Sequence, residues 1–384
     1  MDIKQVYELV NQTSGEVLGR TDILKDDLTG VVQLGDEVFN QGAVDRYVKS
    51  LVNRIGKVIF VNRLYQGGAP KVLMDSWQYG SILEKIQTDL PNAQENETWE
   101  LEDKTSYDPN IFYQPKVKAK FFNNMVTFEV NISITEKQVK QSFTSATQLN
   151  AFVSMIYTSV ENTMTIKIDS LIMRTIDNFI GETIYNEYQG GDLTAKSTVK
   201  AVNLLKLYNT EKGTTLTAEK CLTDKEFLKF ATREMSLYID RMKLMSSLFN
   251  VSGKDRFTPT DRLHVVLLSN FTSSQKAYLQ SDTYHKELVS LPNYETIPYW
   301  QGSGKTFAFD DVSKINIKTS SGHDIEAKGI LGVMFDRWAL GVSNVNRKVT
   351  SQYTPNAEFF TNFYKFDCRY FNDLDENFVV FFVA

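Results

Sequence analysis

The sequence predicts a mixed α+β fold, and three observations carry that prediction. Between Pro115 and Gly181 there is neither proline nor glycine, and inside that stretch the apolar period changes from two residues to nearly four. Strand and helix patterns then alternate through the second half without the glycine-rich phosphate turns of a nucleotide domain. The last quarter is dense in aromatics and β-like. The chain has 25 Phe and 18 Tyr, and aromatics make up 12 % of it, which points to extensive packing within or between subunits.

Taken in order, the first forty residues are mixed and polar, with turn signals at Ser14-Gly15, Gly30 and Gly35, and read as an arm. Ala43 to Ile55 reads as a short helix (Val44, Tyr47, Val48, Leu51, Val52, Ile55) that Gly56 stops at the C-terminal cap position. Lys57 to Tyr65 follows as a strand. From Gln66 to Pro115 the pattern degrades under Gly67, Gly68, Pro70, Pro91, Pro109 and Pro115, and acids accumulate from Glu84 to Asp103. A loop of that length inside a domain is usually functional or disordered. It reads either as a solvated acidic loop or as a projecting arm, and Trp77, Trp99, Tyr107, Phe112 and Tyr113 are its candidate intersubunit contacts.

Val126, Phe128, Val130, Ile132 and Ile134 alternate strictly and lay one apolar face on a core. The pattern then runs straight into a helix from near Gln148 to about Tyr185, with Leu149, Phe152, Ile156, Val160, Met164, Ile168, Leu171, Ile172, Ile176 and Phe179 at steps of three and four. Such a helix is roughly 50 Å long, a girder for an extended subunit. Thr223-Asp224-Lys225-Glu226 has capping-box spacing ahead of a helix bearing Phe227, Leu228, Ala231, Met235, Tyr238 and Ile239. Leu263 to Leu268 reads as a strand and Ser273 to Gln280 as a helix. Further strands are expected at Thr306–Phe309, Ile315–Ile317 and Gly329–Met334. The tail Phe359 to Ala384 is β-like, broken at Asn372-Asp373 and Asp375.

Composition bounds the function. The 384 residues are 42 % apolar and suffice for two or three domains. A net charge of -5, from 42 Lys and Arg against 47 Asp and Glu, argues against a surface devoted to nucleic acid. Two distant cysteines, Cys221 and Cys368, suit a reduced environment better than a disulfide. The N-terminus lacks the apolar block of a secretory signal, and the longest apolar run, Phe378 to Ala384, is too short to span a bilayer.

Candidate chemistry is thin. Gln301-Gly302-Ser303-Gly304-Lys305-Thr306 ends like a phosphate-binding loop, but Tyr299 stands where that motif requires its first glycine, so a surface turn accounts for it better. His264, His285 and His323 are scattered, and neither cysteine has a histidine at ligand spacing. The acid pairs Asp26-Asp27 and Asp310-Asp311 and the charge run Glu95 to Lys104 read as wet surface. No catalytic residue, cofactor site or metal site is assigned, and the chain is not expected to be an enzyme. Lys116, Lys118 and Lys120 alternate with Val117, Ala119 and Phe121, which puts three cations on one strand face, read as solvated or intersubunit.

Two segments carry a family resemblance. Asp45-Arg46-Tyr47-Val48-Lys49-Ser50-Leu51-Val52-Asn53-Arg54-Ile55-Gly56-Lys57-Val58-Ile59 resembles the helix and strand that launch an extended loop in the major capsid proteins of tailed bacteriophages, the Hong Kong 97-type fold. The small short-tailed phages of the Salas-virus group are the most similar. Gly332-Val333-Met334-Phe335-Asp336-Arg337-Trp338-Ala339-Leu340, Ala357 to Tyr370 and Phe378 to Val383 are similar to the family's inner strand and its return. The resemblance implies five units: an N-terminal arm and short helix (1–56), an extended loop (57–115), a peripheral domain with the spine helix (116–189), an axial domain (190–341) and return strands of the peripheral domain (342–384). It implies self-assembly into pentamers and hexamers of a shell enclosing double-stranded DNA without sequence-specific binding. It also implies a separate scaffolding protein, a portal or connector, and a head fibre or decoration protein, with no membrane partner. Location would be the virion capsid, assembled in the host cytoplasm. An encapsulin-like bacterial compartment shell shares that fold and is the alternative reading.

Overall fold

A computed structural model describes residues 3–21, 24–25, 27–40, 42–51, 68–72, 83–88, 90–91, 110, 112–279, 294–301 and 306–384. The strand expected at Lys57–Tyr65, the charge run Glu95 to Lys104, His285 and residues 302–305 of the Gly-Lys-Thr turn lie outside the described residues.

The amino-terminal segment, read from sequence as irregular, contains two helices, α1 (Ile3–Leu18) and α2 (Val31–Asn40). A third, α3, runs through residues 44–51. Gly15 and Gly35 lie inside helices and do not mark turns. A Cβ on Gly35 would stand 2.6 Å from Cβ of Phe143, so this glycine permits a close approach that any side chain would block. Val6, Leu9, Val10, Leu34, Val38, Tyr47 and Leu51 are buried in the core that also takes in the long helix.

β1 (Leu83–Thr88) pairs antiparallel with β2 (Val117–Phe122). β3 (Met125–Thr135) follows, and its even-numbered residues point inward, as the alternation predicts. It does not run straight into the long helix. Thr135 caps α4 (Glu136–Ser142) in a reciprocal box with Gln138, and Ser145 then caps α5 (Ala146–Tyr188) through the Gln148 amide. Side-chain caps thus break the chain where no glycine or proline signals a break. At 43 residues, α5 is about 65 Å long. Its first half is buried on one stripe, Leu149, Val153, Ile156, Val160, Met164 and Ile168. From Leu171 to Ile184 it is covered on nearly all sides. There Phe179 stacks on Phe378 with ring centroids 4.1 Å apart, and Gly181 leaves room for Ile317 and Thr319.

The second half of the chain gives β4 (Ala201–Asn203), α6 (Leu204–Lys212), α7 (Ala218–Cys221), α8 (Lys225–Met242), β5 (Leu263–Leu268), α9 (Ser269–Leu279), β6 (Tyr294–Ile297), α10 (Phe309–Val312), β7 (Ile315–Lys318), β8 (Asp324–Ala327), β9 (Ile330–Asp336), β10 (Leu340–Thr354), β11 (Phe359–Asn372) and β12 (Phe378–Phe382). The cap of α8 is Asp224, whose carboxylate accepts from the Phe227 amide; the cap thus falls one residue after Thr223, and the capping box expected from sequence does not form because Phe227 stands at its third position. The strand expected at Thr306–Phe309 is absent, because Phe309–Val312 turns as a short helix with Asp310 and Asp311 in its first turn, where acids favour a helix N-terminus.

β10, β11 and β3 form a three-stranded antiparallel sheet, and β4, β12, β9, β5 and β6 a five-stranded mixed sheet in that order. β12 thus leaves the sheet of β10 and β11 and lies between β4 and β9. Its unbroken apolar run follows from burial on both faces. Phe378, Val380 and Phe382 join the core that includes α5, while Val379, Phe381 and Val383 join the core of α6 and α8.

Candidate intersubunit surface

The β1–β2 hairpin has its polarity inverted. Register partners Lys85 and Lys120, and Gln87 and Lys118, share one face; Ile86 and Ala119, Thr88 and Val117, Glu84 and Phe121 share the other. The polar face turns toward the body. The Lys85 ammonium donates to Asp373 Oδ2 at 2.7 Å, to the Trp338 carbonyl at 2.7 Å and to Glu376 Oε1 at 3.4 Å. The Lys120 ammonium reaches Asp373 Oδ1 at 3.0 Å and Asp375 Oδ2 at 2.6 Å. Arg256 donates to Gln87 Oε1 at 2.6 Å and lies 4.0 Å from Glu376. Ring contact between Phe122 and Phe371, centroids 5.2 Å apart, completes that side.

The apolar face is left outside. Ile86 is 67 % exposed, Val117 57 % and Phe121 63 %. Phe112 and Tyr113, on the approach to β2, are 84 % and 73 % exposed. Two of the five aromatic contact candidates are therefore displayed beside this face. Trp77, Trp99 and Tyr107 lie outside the described residues. Ile86, Val117 and Phe121 were not among the candidates, although alternation with Lys116, Lys118 and Lys120 was the signal that could have found them. The lysine stripe was read as solvated or intersubunit; for Lys120 the structure overturns this, because buried carboxylates of its own chain claim the ammonium.

Electrostatics explain why the cations point in. Asp373 is fully buried, with Asp375 and Glu376 nearly so, and three cations, Lys85, Lys120 and Arg256, face these three acids. Burial alone would lower the Lys120 pKa, but the hydrogen bonds it donates to Asp375 and Asp373 outweigh it and hold the ammonium charged. Burial would raise Asp375, and the Lys120 ammonium instead keeps it below its ordinary value. Burial dominates at Glu376, whose carboxyl is pushed up despite Lys85.

A second apolar exposure, Leu244, Met245, Leu248 and Phe257, lies on the loop after α8. Its strand-like bridge Ser246–Arg256 leads to the arginine that meets Gln87. Groups of side chains that could hold a metal ion are absent among the described residues. His264 stacks on Phe335 at 5.5 Å and burial lowers its pKa. His323 stacks on Tyr185 at 3.6 Å. Cys221 and Cys368 are buried thiols, not joined to each other. Asp177 of α5 is buried, and burial pushes its carboxyl well above the usual carboxylate range. No described helix is long and apolar enough to cross a membrane.

Comparison with known proteins places this architecture. The sequence matches the family described as Phi29-like phage major capsid protein over residues 10–382. It is 26 % identical over 141 residues to the major capsid protein of Bacillus phage GA-1, an alignment covering 36 % of this chain and 29 % of that protein. The chain thus spans under a third of that curated relative. Among solved structures, the capsid of Staphylococcus phage Andhra aligns with a TM-score of 0.52 at 10 % identity, covering 84 % of this chain and 86 % of that one. A chain from the structure of the head fiber and inner core protein gp22 of native bacteriophage P68 aligns with a TM-score of 0.51 at 9 % identity, over the same shares. At such identities the likeness is one of fold, the Hong Kong 97-type fold of phage capsids.

Proposed function

Because this chain belongs to the Phi29-like phage major capsid protein family, we propose that the outward apolar face of the β1–β2 hairpin is where copies of it join into a closed head shell. The observation that carries this reading is the polarity inversion: a hairpin that turns its lysines inward and Ile86, Val117 and Phe121 outward gains by covering that face. Shell geometry supplies the cover, since a subunit in a closed assembly buries surface against several neighbours.

On the same reading, residues 1–56 form an N-terminal arm, 57–115 the extended loop, 116–189 the peripheral domain with α5 as its spine, 190–341 the axial domain and 342–384 the return, with β12 crossing into the axial sheet. The subunits form pentamers and hexamers in the host cytoplasm with a separate scaffolding protein. A portal or connector and a head fibre or decoration protein complete the particle. Packaged double-stranded DNA must move past the inner wall, and a net charge of -5 avoids the phosphate binding that a basic lining would impose. The role is structural and carries no catalysis. Neither the family nor the relatives described above favour the compartment-shell alternative.

The test is electron microscopy of the full chain produced with the other head proteins of its phage. Phe121→Asp is expected to leave a folded subunit and no closed particles, and closed particles at the unaltered yield would overturn the reading. Deleting Trp77 to Asp108, which removes β1 and three aromatic candidates, is expected to block closure as well.

A further inference from the structure

Lys85 and Lys120 are direct partners across the β1–β2 ribbon, so two ammonium groups stand side by side on one face. Like charges in that position oppose strand pairing, and a two-stranded hairpin is marginal in water even without them. What reconciles the two cations is outside the hairpin. Asp373 offers one carboxylate oxygen to each lysine, and the three N–H groups of Lys85 are all directed, to Asp373, Glu376 and the Trp338 carbonyl.

The acids themselves are built into the body. The Asp373 amide donates to the Ala339 carbonyl at 2.7 Å, the Ser252 amide to the Leu374 carbonyl at 3.2 Å and the Glu376 amide to the Asp373 carbonyl at 3.1 Å. The Asp375 amide donates to Asp373 Oδ1 at 3.3 Å, and the Phe378 amide to the Phe249 carbonyl at 2.9 Å. This turn connects β11 to β12, so it is anchored by both sheets. Arg256 adds a third tie, from the 244–257 loop to Gln87 of β1.

We propose that the acidic turn 373–376 is the positioning device of the hairpin. Strands β1 and β2 pair, and hold their angle to the body, only while Lys85 and Lys120 share Asp373. Docking, strand pairing and presentation of the apolar face are then a single coupled event. Asp373, Asp375, Lys85 and Lys120 act through the hairpin as positioning residues. The inference rests on the reading of that face as the assembly surface.

Hydrogen exchange of the full-length subunit, read segment by segment, tests the coupling. In Asp373→Asn and in the milder Lys120→Met, amides of 83–88 and 117–122 are expected to exchange at least tenfold faster, while those of 263–268 and 330–336 stay at the unaltered rate. Lys120→Arg, which keeps the cation, is expected to keep most of the protection that the uncharged Lys120→Met loses, a difference a merely bulky contact would not show. Hairpin exchange within twofold of the unaltered protein in both single variants would overturn the proposal. Phe121→Ser, on the opposite face, separates the two ideas. It is expected to keep the hairpin's protection and lose particles. Normal particles from Phe121→Ser would sink the assembly reading and leave the positioning device standing.

Discussion

β2 and β3 are neighbours in sequence, separated by Asn123 and Asn124, and both alternate apolar with polar residues, yet they face opposite ways. β3 turns Val126, Phe128, Val130, Ile132 and Ile134 inward and leaves Thr127, Glu129 and Asn131 in solvent. β2 leaves Val117 and Phe121 in solvent and commits Lys120 to buried acids. Alternation therefore specifies that a strand has two faces and does not specify which is inside. For β3 the choice follows from β11 beside it and α5 above. For β2 it follows from three carboxylates more than 250 residues away in the chain, whose burial requires cations. An outward apolar face is tolerable in a subunit that will be covered by its neighbours.

Substitutions on the two strands should break the comparison in opposite ways. Ile134→Asp, on the buried face of β3, loses a core side chain and desolvates a carboxylate, a cost of at least about 4 kcal/mol; denaturant titration should show a chain folded marginally or not at all. Asp373→Ala strands Lys85 without its main partner and should ease local opening of the hairpin by about 3–5 kcal/mol, measured by hydrogen exchange of the 83–88 and 117–122 amides. Between the strands and the spine, Ser145→Ala removes the cap of α5 and should cost about 1 kcal/mol, visible as a small fall in the denaturation midpoint. Phe121→Ser, on the outward face of β2, should change stability by no more than about 0.5 kcal/mol while abolishing particles in electron micrographs.

Acid gives the mildest test. The Asp375 carboxyl is held below its ordinary value in the folded chain. Its contribution is fully present above the unfolded value, about 3.9, and is lost as pH falls through the lower folded value. Glu376 has the opposite sign, since burial raises it, so its protonation favours the folded state slightly. Stability should therefore fall as pH drops below about 3.9, and Asp375→Asn should make that fall smaller.

How far the sequence was legible follows the same division. Periodicity located β3, α5, α8, β5, β9 and β12, because each buries a face against neighbours that the apolar pattern itself announces. It failed at the N-terminus, where Gly15 and Gly35 looked like turns but serve packing, and at Thr135 and Ser145, where side-chain caps divide what looked like one continuous passage. It missed β10, whose Ser343, Asn344, Asn346, Arg347 and Lys348 are too polar to announce a strand; its pairing with β11 over its length provides the order instead. At the candidate surface, Phe112 and Tyr113, singled out from sequence as intersubunit contact candidates, are exposed. The inward lysines escaped because nothing local to β2 reveals Asp373.

The central claim is that the outward face of the hairpin is covered when copies assemble. Val117→Cys places a thiol there, and the native Cys221 and Cys368 are buried, so the alkylation rate at position 117 reports on that face directly. The account predicts rapid modification in the free subunit and a rate at least tenfold slower in assembled particles. Equal rates in the two states would contradict it.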